Sequence, residues 1–376
     1  MAKKKLLIVN NNMHIGGIQK ALLNLLIHAK DTYDITLLLF KKHGELLDQI
    51  PEEITVIEDS SAYRYLGMAQ AECKTRKDKL LRGGFAFLAK AFGFKVSAAF
   101  LSLVFRHRLA EQYDAAISYQ QCAAPKSFYG GTAEYVLKHT RAATKVCYIH
   151  CDYQNSGTAC KYSNKIYSKF DKIACVSNSV KERFLAVLPE LEDRCVVAPN
   201  IVNCQEIVAA SEKAPYEYDS SFLNLLTVAR LSPEKGIERF IEALADANLP
   251  HVRYYVVGEG RSRTEIEQTI AARGLGDRVF LLGADANPYR YMKNADALVL
   301  PSYHEAAPVV FQEAKVLGLP ILTTETTSAR EMISPDQGYV CANSKEGISE
   351  LLKSVCASSD ALKNKKGYGS DSKYGN

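Results

Sequence analysis

The 376-residue chain is 47% hydrophobic and 24% charged, a composition that excludes a largely disordered, collagen-like or coiled-coil protein. At about 150 residues per domain its length predicts two domains, each large enough to bury a core without staples. The net charge of +5 is uneven: residues 1–200 hold 28 Lys/Arg against 19 Asp/Glu, so the excess positive charge lies in the first half. That half is expected to meet an anionic surface, and a membrane ranks above nucleic acid because no helix-turn-helix, ribonucleoprotein or zinc-finger signature accompanies the charge.

In chain order, the apolar run LLIVN (6–10) predicts a buried strand, NNMHIGG a loop, and IQKALLNLLIHAK a helix. DITLLLF (34–40) is the next predicted strand, and this order opens a parallel α/β sheet. Further strands are expected at 114–118, 145–149, 172–176 and 194–198. Residues 74–109 carry nine Lys/Arg and one acid, with four phenylalanines between Phe85 and Phe94. Lys90, Lys95 and the glycines argue against a membrane span. Two readings stay open: an interfacial amphipathic segment, or a pair of buried helices with snorkelling lysines.

The polar, proline-punctuated stretch 200–222 reads as a linker. Five strand–helix units follow, with strands in FLNLLTVAR, YYVVGEG, RVFLLG, DALVLPS and PILTT. The organisation expected is an N-terminal Rossmann-like domain over 1–199, the linker, a second over 223–360, and a disordered tail over 361–376. The fold class is thus α/β, two doubly wound Rossmann-like domains facing a cleft. MAKKK runs into the first strand with no leader pattern, and the ten cysteines form no C-x-x-C pair. Free thiols and a cytoplasmic location are the expectation, with no metal site: Cys147 and Cys151 lack completing partners, and there is no D-x-D motif.

Chemistry is expected at the carboxyl edges of the strands. Gly16 and Gly17 stand where a helix N-terminus can meet an anion, although a Gly-Gly pair also serves a tight turn. In VARLSPEKG (228–236), Arg230 offers a planar fork and Lys235 a point charge, together able to clamp a diphosphate; two solvated surface charges are the alternative. In PSYHEAAPVVFQEAKVLGLPI (301–321), Glu305 falls in a loop and Glu313 early on the next helix. Ionised carboxylates accept from paired hydroxyls, as a sugar and a ribose present, and the backbone N–H groups over 306–309 can meet phosphate between them. His150 ends a predicted strand, where it can equally be a satisfied structural histidine.

These pieces resemble the family 4 retaining glycosyltransferases of the glycosyltransferase B fold, the group 1 enzymes of surface polysaccharide synthesis. The resemblance spans nearly the whole chain: GG (16–17), HCD (150–152), VSNSVKERF (176–184), PNIVN (199–203), ARLSPEKG (229–236), VVGEG (256–260), NPYRYMKNADALVLPS (287–302) and the glutamate pair. It implies a hexosyl transfer, with no cofactor, from a nucleoside-diphosphate sugar to a glycan or lipid-linked glycan at the inner face of a membrane, and the missing D-x-D motif makes the expected transfer metal-independent. By resemblance, Arg230 and Lys235 hold the diphosphate, Glu305 the donor sugar and Glu313 the ribose. Gly16, Gly17, Gly258, Ala307, Pro308 and Val309 line the donor, and His150 stands near the reacting sugar. The chain departs from the family at 306–308, where Ala-Ala-Pro replaces a glycine-rich run, and in its short tail. A catalytically silent nucleotide-sugar-binding partner of another transferase is the rival reading. A sugar-nucleotide epimerase would need a further acid/base cluster that the sequence lacks.

Overall fold

The computed structural model describes residues 2–104, 109–356, 360–363 and 365. The chain divides into two compact units between Ile201 and Val202. In the first, seven strands form one parallel sheet: β1 (Lys4–Asn10), β2 (Tyr33–Leu39), β3 (Thr55–Glu58), β4 (Gln112–Ser118), β5 (Arg141–Ile149), β6 (Lys172–Cys175) and β7 (Cys195–Val197). Their spatial order is β3-β2-β1-β4-β5-β6-β7. The order reverses between β1 and β4, and their carboxyl ends therefore open a crevice of the kind that receives ligands in doubly wound sheets.

Helix α1 (Gly17–Ala29) follows β1 and turns Leu22, Leu23 and Leu26 into the core beside Ile8, Leu37 and Leu39. The basic phenylalanine-rich stretch is a helical pair, α2 (Arg76–Phe92) and α3 (Phe94–Val104). Thr75 caps α2 by accepting from the Asp78 N–H at 3.0 Å, and Gly93, at φ +86°, ends it. Phe85 and Phe94 are buried, whereas Leu80 (79% exposed), Phe87 (68%) and Phe92 (66%) stand in solvent. The pair thus divides between the two readings. Residues 105–108 of the stretch lie outside the described residues, among which no helix is long and apolar enough to cross a membrane.

Further α-helices among the described residues of this unit are α4 (Thr132–His139), α5 (Lys161–Tyr167) and α6 (Asn178–Leu185).

The second unit repeats the plan with six parallel strands: β8 (Leu223–Val228), β9 (Val252–Val257), β10 (Val279–Gly283), β11 (Ala297–Leu300), β12 (Ile321–Thr324) and β13 (Gly338–Cys341). The order β10-β9-β8-β11-β12-β13 reverses between β8 and β11, with Leu225 paired to Ala297 and Leu226 to Leu298. Both sheet faces are covered, which is why these strands read as continuous apolar runs. Leu225, Tyr254, Val256 and Val299 form one core with helix Ile237–Ala247. Their alternates Leu226, Tyr255, Val257 and Leu298 form the other.

That second core corrects the linker expected over 200–222. Asn203 caps a helix, Cys204–Ser211, whose Ile207 is 2% exposed and packs in the same cluster as Phe311. The stretch is therefore in part a structural layer of the C-terminal unit. Of the tail expected to be disordered, residues 364 and 366–376 lie outside the described residues, and Leu362 is buried in the core.

Candidate functional site

At the β8/β11 reversal two loops come together. The loop after β8 is tied to the loop after β9, with the Leu231 N–H donating to the Glu259 carbonyl at 2.9 Å and the Ser262 N–H to the Leu231 carbonyl at 3.1 Å. Gly258 makes that approach feasible: at φ +154° it leaves space for the Ala229 carbonyl, which a Cβ would meet at 1.8 Å. Packing alone therefore requires this glycine, and the donor-lining role expected of it is not needed to explain it.

The loop after β8 then bonds to the loop after β11, the Tyr303 N–H donating to the Glu234 carbonyl at 2.9 Å. This contact brings Lys235 and Glu305 together across 70 residues, with Nζ 2.6 Å from Oε1. The Ser302 hydroxyl donates to the same oxygen at 2.7 Å. Lys235 is 22% exposed and Glu305 10%, so the pair is half-buried and held in one geometry. Arg230 is unlike it. Its guanidinium is 70% exposed and pairs with Glu234 at 3.0 Å, one helical turn away in sequence.

Glu313 sits on helix Val309–Val316, which begins after Pro308 with no side-chain cap. Its carboxylate is 6% exposed and accepts from the Tyr289 hydroxyl at 2.8 Å. Val309 is buried, while Ala307 and Pro308 are half-buried beside Glu305 in the loop. The sequence reading missed what holds this loop. Arg239, one turn beyond Gly236, donates to the Pro301 carbonyl at 2.7 Å and to the Asn343 carbonyl at 3.2 Å, and its guanidinium lies over the Tyr303 ring. Asn343 donates to the Tyr303 carbonyl at 2.9 Å, and the Thr324 hydroxyl to the Ser302 carbonyl at 2.6 Å.

In the N-terminal unit, Gly16 and Gly17 open α1 after β1, at that sheet's own reversal. Neither has a left-handed backbone, and a Cβ on Gly17 would meet nothing within 4 Å. Backbone angles therefore do not require glycine at either position, while a Cβ on Gly16 would stand 2.8 Å from Gln19 Oε1. His150 follows β5, and its Nε2–H donates to the Tyr119 carbonyl at 2.9 Å, with the rings of Tyr119 and Tyr148 against it. Burial pushes its pKa down to about 4, against the opposing effect of the Tyr119 carbonyl, so the ring is neutral at pH 7 with its lone pair on Nδ1. His150 can accept or orient a hydroxyl, but it holds no proton to give.

All ten cysteines are unpaired. Among the described residues, the side chains close enough together to hold a metal ion are not a cysteine cluster but His14, His43 and Glu72.

Residues 211–370, covering the second sheet and its loops, match the family described as glycosyl transferases group 1. The lipopolysaccharide glucosyltransferase WaaG of Escherichia coli is 33% identical over 141 residues, 36% of this chain and 37% of the relative. A Campylobacter jejuni enzyme named for transferring N-acetylgalactosamine to a diphospho-undecaprenol acceptor is 26% identical over 173 residues, 46% of each chain. These matches span less than half the length of the curated relatives. Along nearly its whole length, 96%, the chain superposes on 93% of Anabaena HepE in complex with UDP, with a TM-score of 0.65 and 17% identity. The fold is the glycosyltransferase B fold, two Rossmann-like domains.

Proposed function

We propose that the chain is a retaining glycosyltransferase that moves a sugar from a nucleoside-diphosphate donor to a glycan acceptor in surface polysaccharide synthesis. The observation that carries this reading is the Lys235–Glu305–Ser302 cluster at the β8/β11 reversal. A cation and a carboxylate 2.6 Å apart can be shared by one elongated ligand, the ammonium facing a phosphate oxygen and the carboxylate accepting from sugar hydroxyls. Arg230 is exposed and free to swing from Glu234 onto the diphosphate. Glu313, with one oxygen on Tyr289, is the ribose acceptor in this scheme.

Departure of the nucleoside diphosphate builds negative charge on the β-phosphate. Lys235, Arg230 and the N-terminus of the helix beginning at Val309 stabilise that charge, so the reaction needs no metal bridge. Gly16 and Gly17 leave room for the backbone to approach an anion, and neutral His150 can orient an acceptor hydroxyl. The named acceptor of the Campylobacter relative makes a lipid-linked glycan the acceptor class we favour. The exposed Phe87 and Phe92 beside the lysines of α2 supply the apolar and cationic parts of a peripheral membrane dock. Incubation with a panel of nucleotide sugars and a polyprenyl-diphosphate glycan tests the reading. A product one sugar heavier, with the donor's anomeric configuration by NMR, is expected. Donor binding with no transfer to any acceptor would instead make the chain a silent partner.

A further inference from the structure

The N-terminal unit carries a cluster of ligating side chains that the proposed transfer does not use. His14 lies in the loop after β1, His43 in the loop after β2, and Glu72 ends a short helical turn, Gln70–Glu72. Backbone bonds fix the first two loops together: the Met13 N–H donates to the His43 carbonyl at 2.9 Å, and the Leu46 N–H to the Met13 carbonyl at 3.0 Å. Gly44, at φ +126°, lies so close that a Cβ would stand 2.1 Å from the Met13 carbonyl carbon. The two imidazoles consequently meet edge to face, with ring centroids 5.0 Å apart.

The ligand atoms converge. Glu72 Oε1 is 2.8 Å from His14 Nε2 and 2.9 Å from His43 Nδ1, and those two nitrogens are 3.4 Å apart. Its other oxygen accepts from the Ala69 N–H, which aims Oε1 at both rings. Around a tetrahedral Zn²⁺ with bonds of about 2.0–2.1 Å, ligand atoms stand about 3.3 Å apart. The triangle therefore needs to open by only about half an ångström on two sides, within reach of side-chain torsions. His43 is 59% exposed, which leaves the fourth position facing solvent.

A second observation concerns the far side of His14. Its Nδ1 faces Glu45 Oε2 at 3.2 Å, and that oxygen is held by the Ile15 N–H at 3.0 Å. A neutral imidazole has one N–H, so His14 satisfies both carboxylates only as an imidazolium or with a cation on Nε2. A ring nitrogen bonded to a carboxylate while the other meets a metal is the usual arrangement of a metal-ligating histidine. Two imidazoles and one carboxylate suit zinc better than magnesium or calcium, which take oxygen ligands.

We propose that His14, His43 and Glu72 form a divalent transition-metal site, suited to Zn²⁺, with Glu45 orienting His14 and a fourth position open. The ion ties the loops after β1 and β2 to the 70–72 turn, and its ligand His14 stands two residues before Gly16, at the entrance to α1. The proposal is independent of the transfer reading, because no group assigned to the donor takes part.

Its test is metal content and not turnover. Chelator-stripped full chain is dialysed against graded free Zn²⁺, and bound metal is counted by mass spectrometry for the wild type and for His14→Ala/His43→Ala, Glu72→Gln and Glu45→Gln. The wild type should hold one ion more than the double variant. Glu72→Gln should lose that ion, and Glu45→Gln should bind it about 10–100-fold more weakly, the usual cost of an outer partner. Co²⁺ in the wild type should give ligand-field bands without thiolate charge transfer. Equal zinc in the wild type and the double variant would overturn the site, and a thiolate band from the wild-type ion would overturn it by assigning the metal to cysteines. Should a variant melt earlier than stripped wild type, the Co²⁺ spectrum of the wild type decides alone.

Discussion

Lys235 and Arg230 carry the same charge but differ in burial, and this separates their expected effects. Arg230 is mostly solvated, so Arg230→Ala should change stability by no more than about 0.5 kcal/mol while slowing sugar transfer by about 10²–10³-fold. Lys235→Ala should slow transfer by a similar factor and also destabilise, because Glu305 keeps only Ser302 as a partner in a half-buried place. Steady-state kinetics beside urea melts check both. A fast Arg230→Ala variant would remove that side chain from the diphosphate. Elsewhere, Glu134 is fully buried on α4, and burial pushes its pKa up more than its backbone bonds, Tyr162 and Lys138 draw it down. A raised carboxyl favours the folded state least at high pH. The unfolded chain ionises first, so stability falls as pH rises above about 4.5. Glu134→Gln should therefore melt like the wild type near pH 4 and above it at pH 8; an unchanged difference across that range would show the carboxyl is paired.

Among the elements, the loops after β8 and β11 gather the candidate site, and α2–α3 gathers the candidate membrane surface. Arg82 in α2 donates to the Met68 carbonyl at 2.7 Å, so it is a packing residue, unlike exposed Lys74, Lys77 and Lys79. Replacing those three lysines by Gln should weaken binding to anionic vesicles, since each contributes about 1 kcal/mol near such a surface. Phe87→Ser with Phe92→Ser should remove the part of binding that survives high salt. Co-sedimentation across a salt series checks both, and wild-type protein that ignores vesicles at every salt would return the helices to a purely packing role. The elements themselves were legible where burial was complete. β8, β9 and β11 are apolar on both faces and announce themselves. β3 and β13 are four-residue edge strands, half-exposed, and their sequences TVIE and GYVC carry no run long enough to read. Helix Cys204–Ser211 was hidden by the prolines that flank it. Arg239 and the His14–His43–Glu72 cluster were illegible for a different reason: their partners lie 29 to 104 residues away, and only the fold brings them together.

At the scale of the whole chain, the two units repeat one topology with opposite charge balance. The N-terminal unit holds the basic surplus and the exposed phenylalanines, the two features on which the proposed membrane dock rests. The C-terminal unit holds the family match and the Lys235–Glu305 ion pair. The donor site is the claim on which the rest depends. It is tested by titrating nucleoside diphosphates and their sugars into the full chain while following its melting temperature, because a ligand of the native state raises stability by mass action. At 100 times the dissociation constant the gain is about 2.7 kcal/mol. We expect at least one nucleotide sugar to raise the wild-type melting temperature in a saturable way, and Lys235→Ala to need at least about tenfold more ligand for the same rise. A full panel that leaves the wild type unmoved, or a ligand that stabilises Lys235→Ala equally well, would contradict the account.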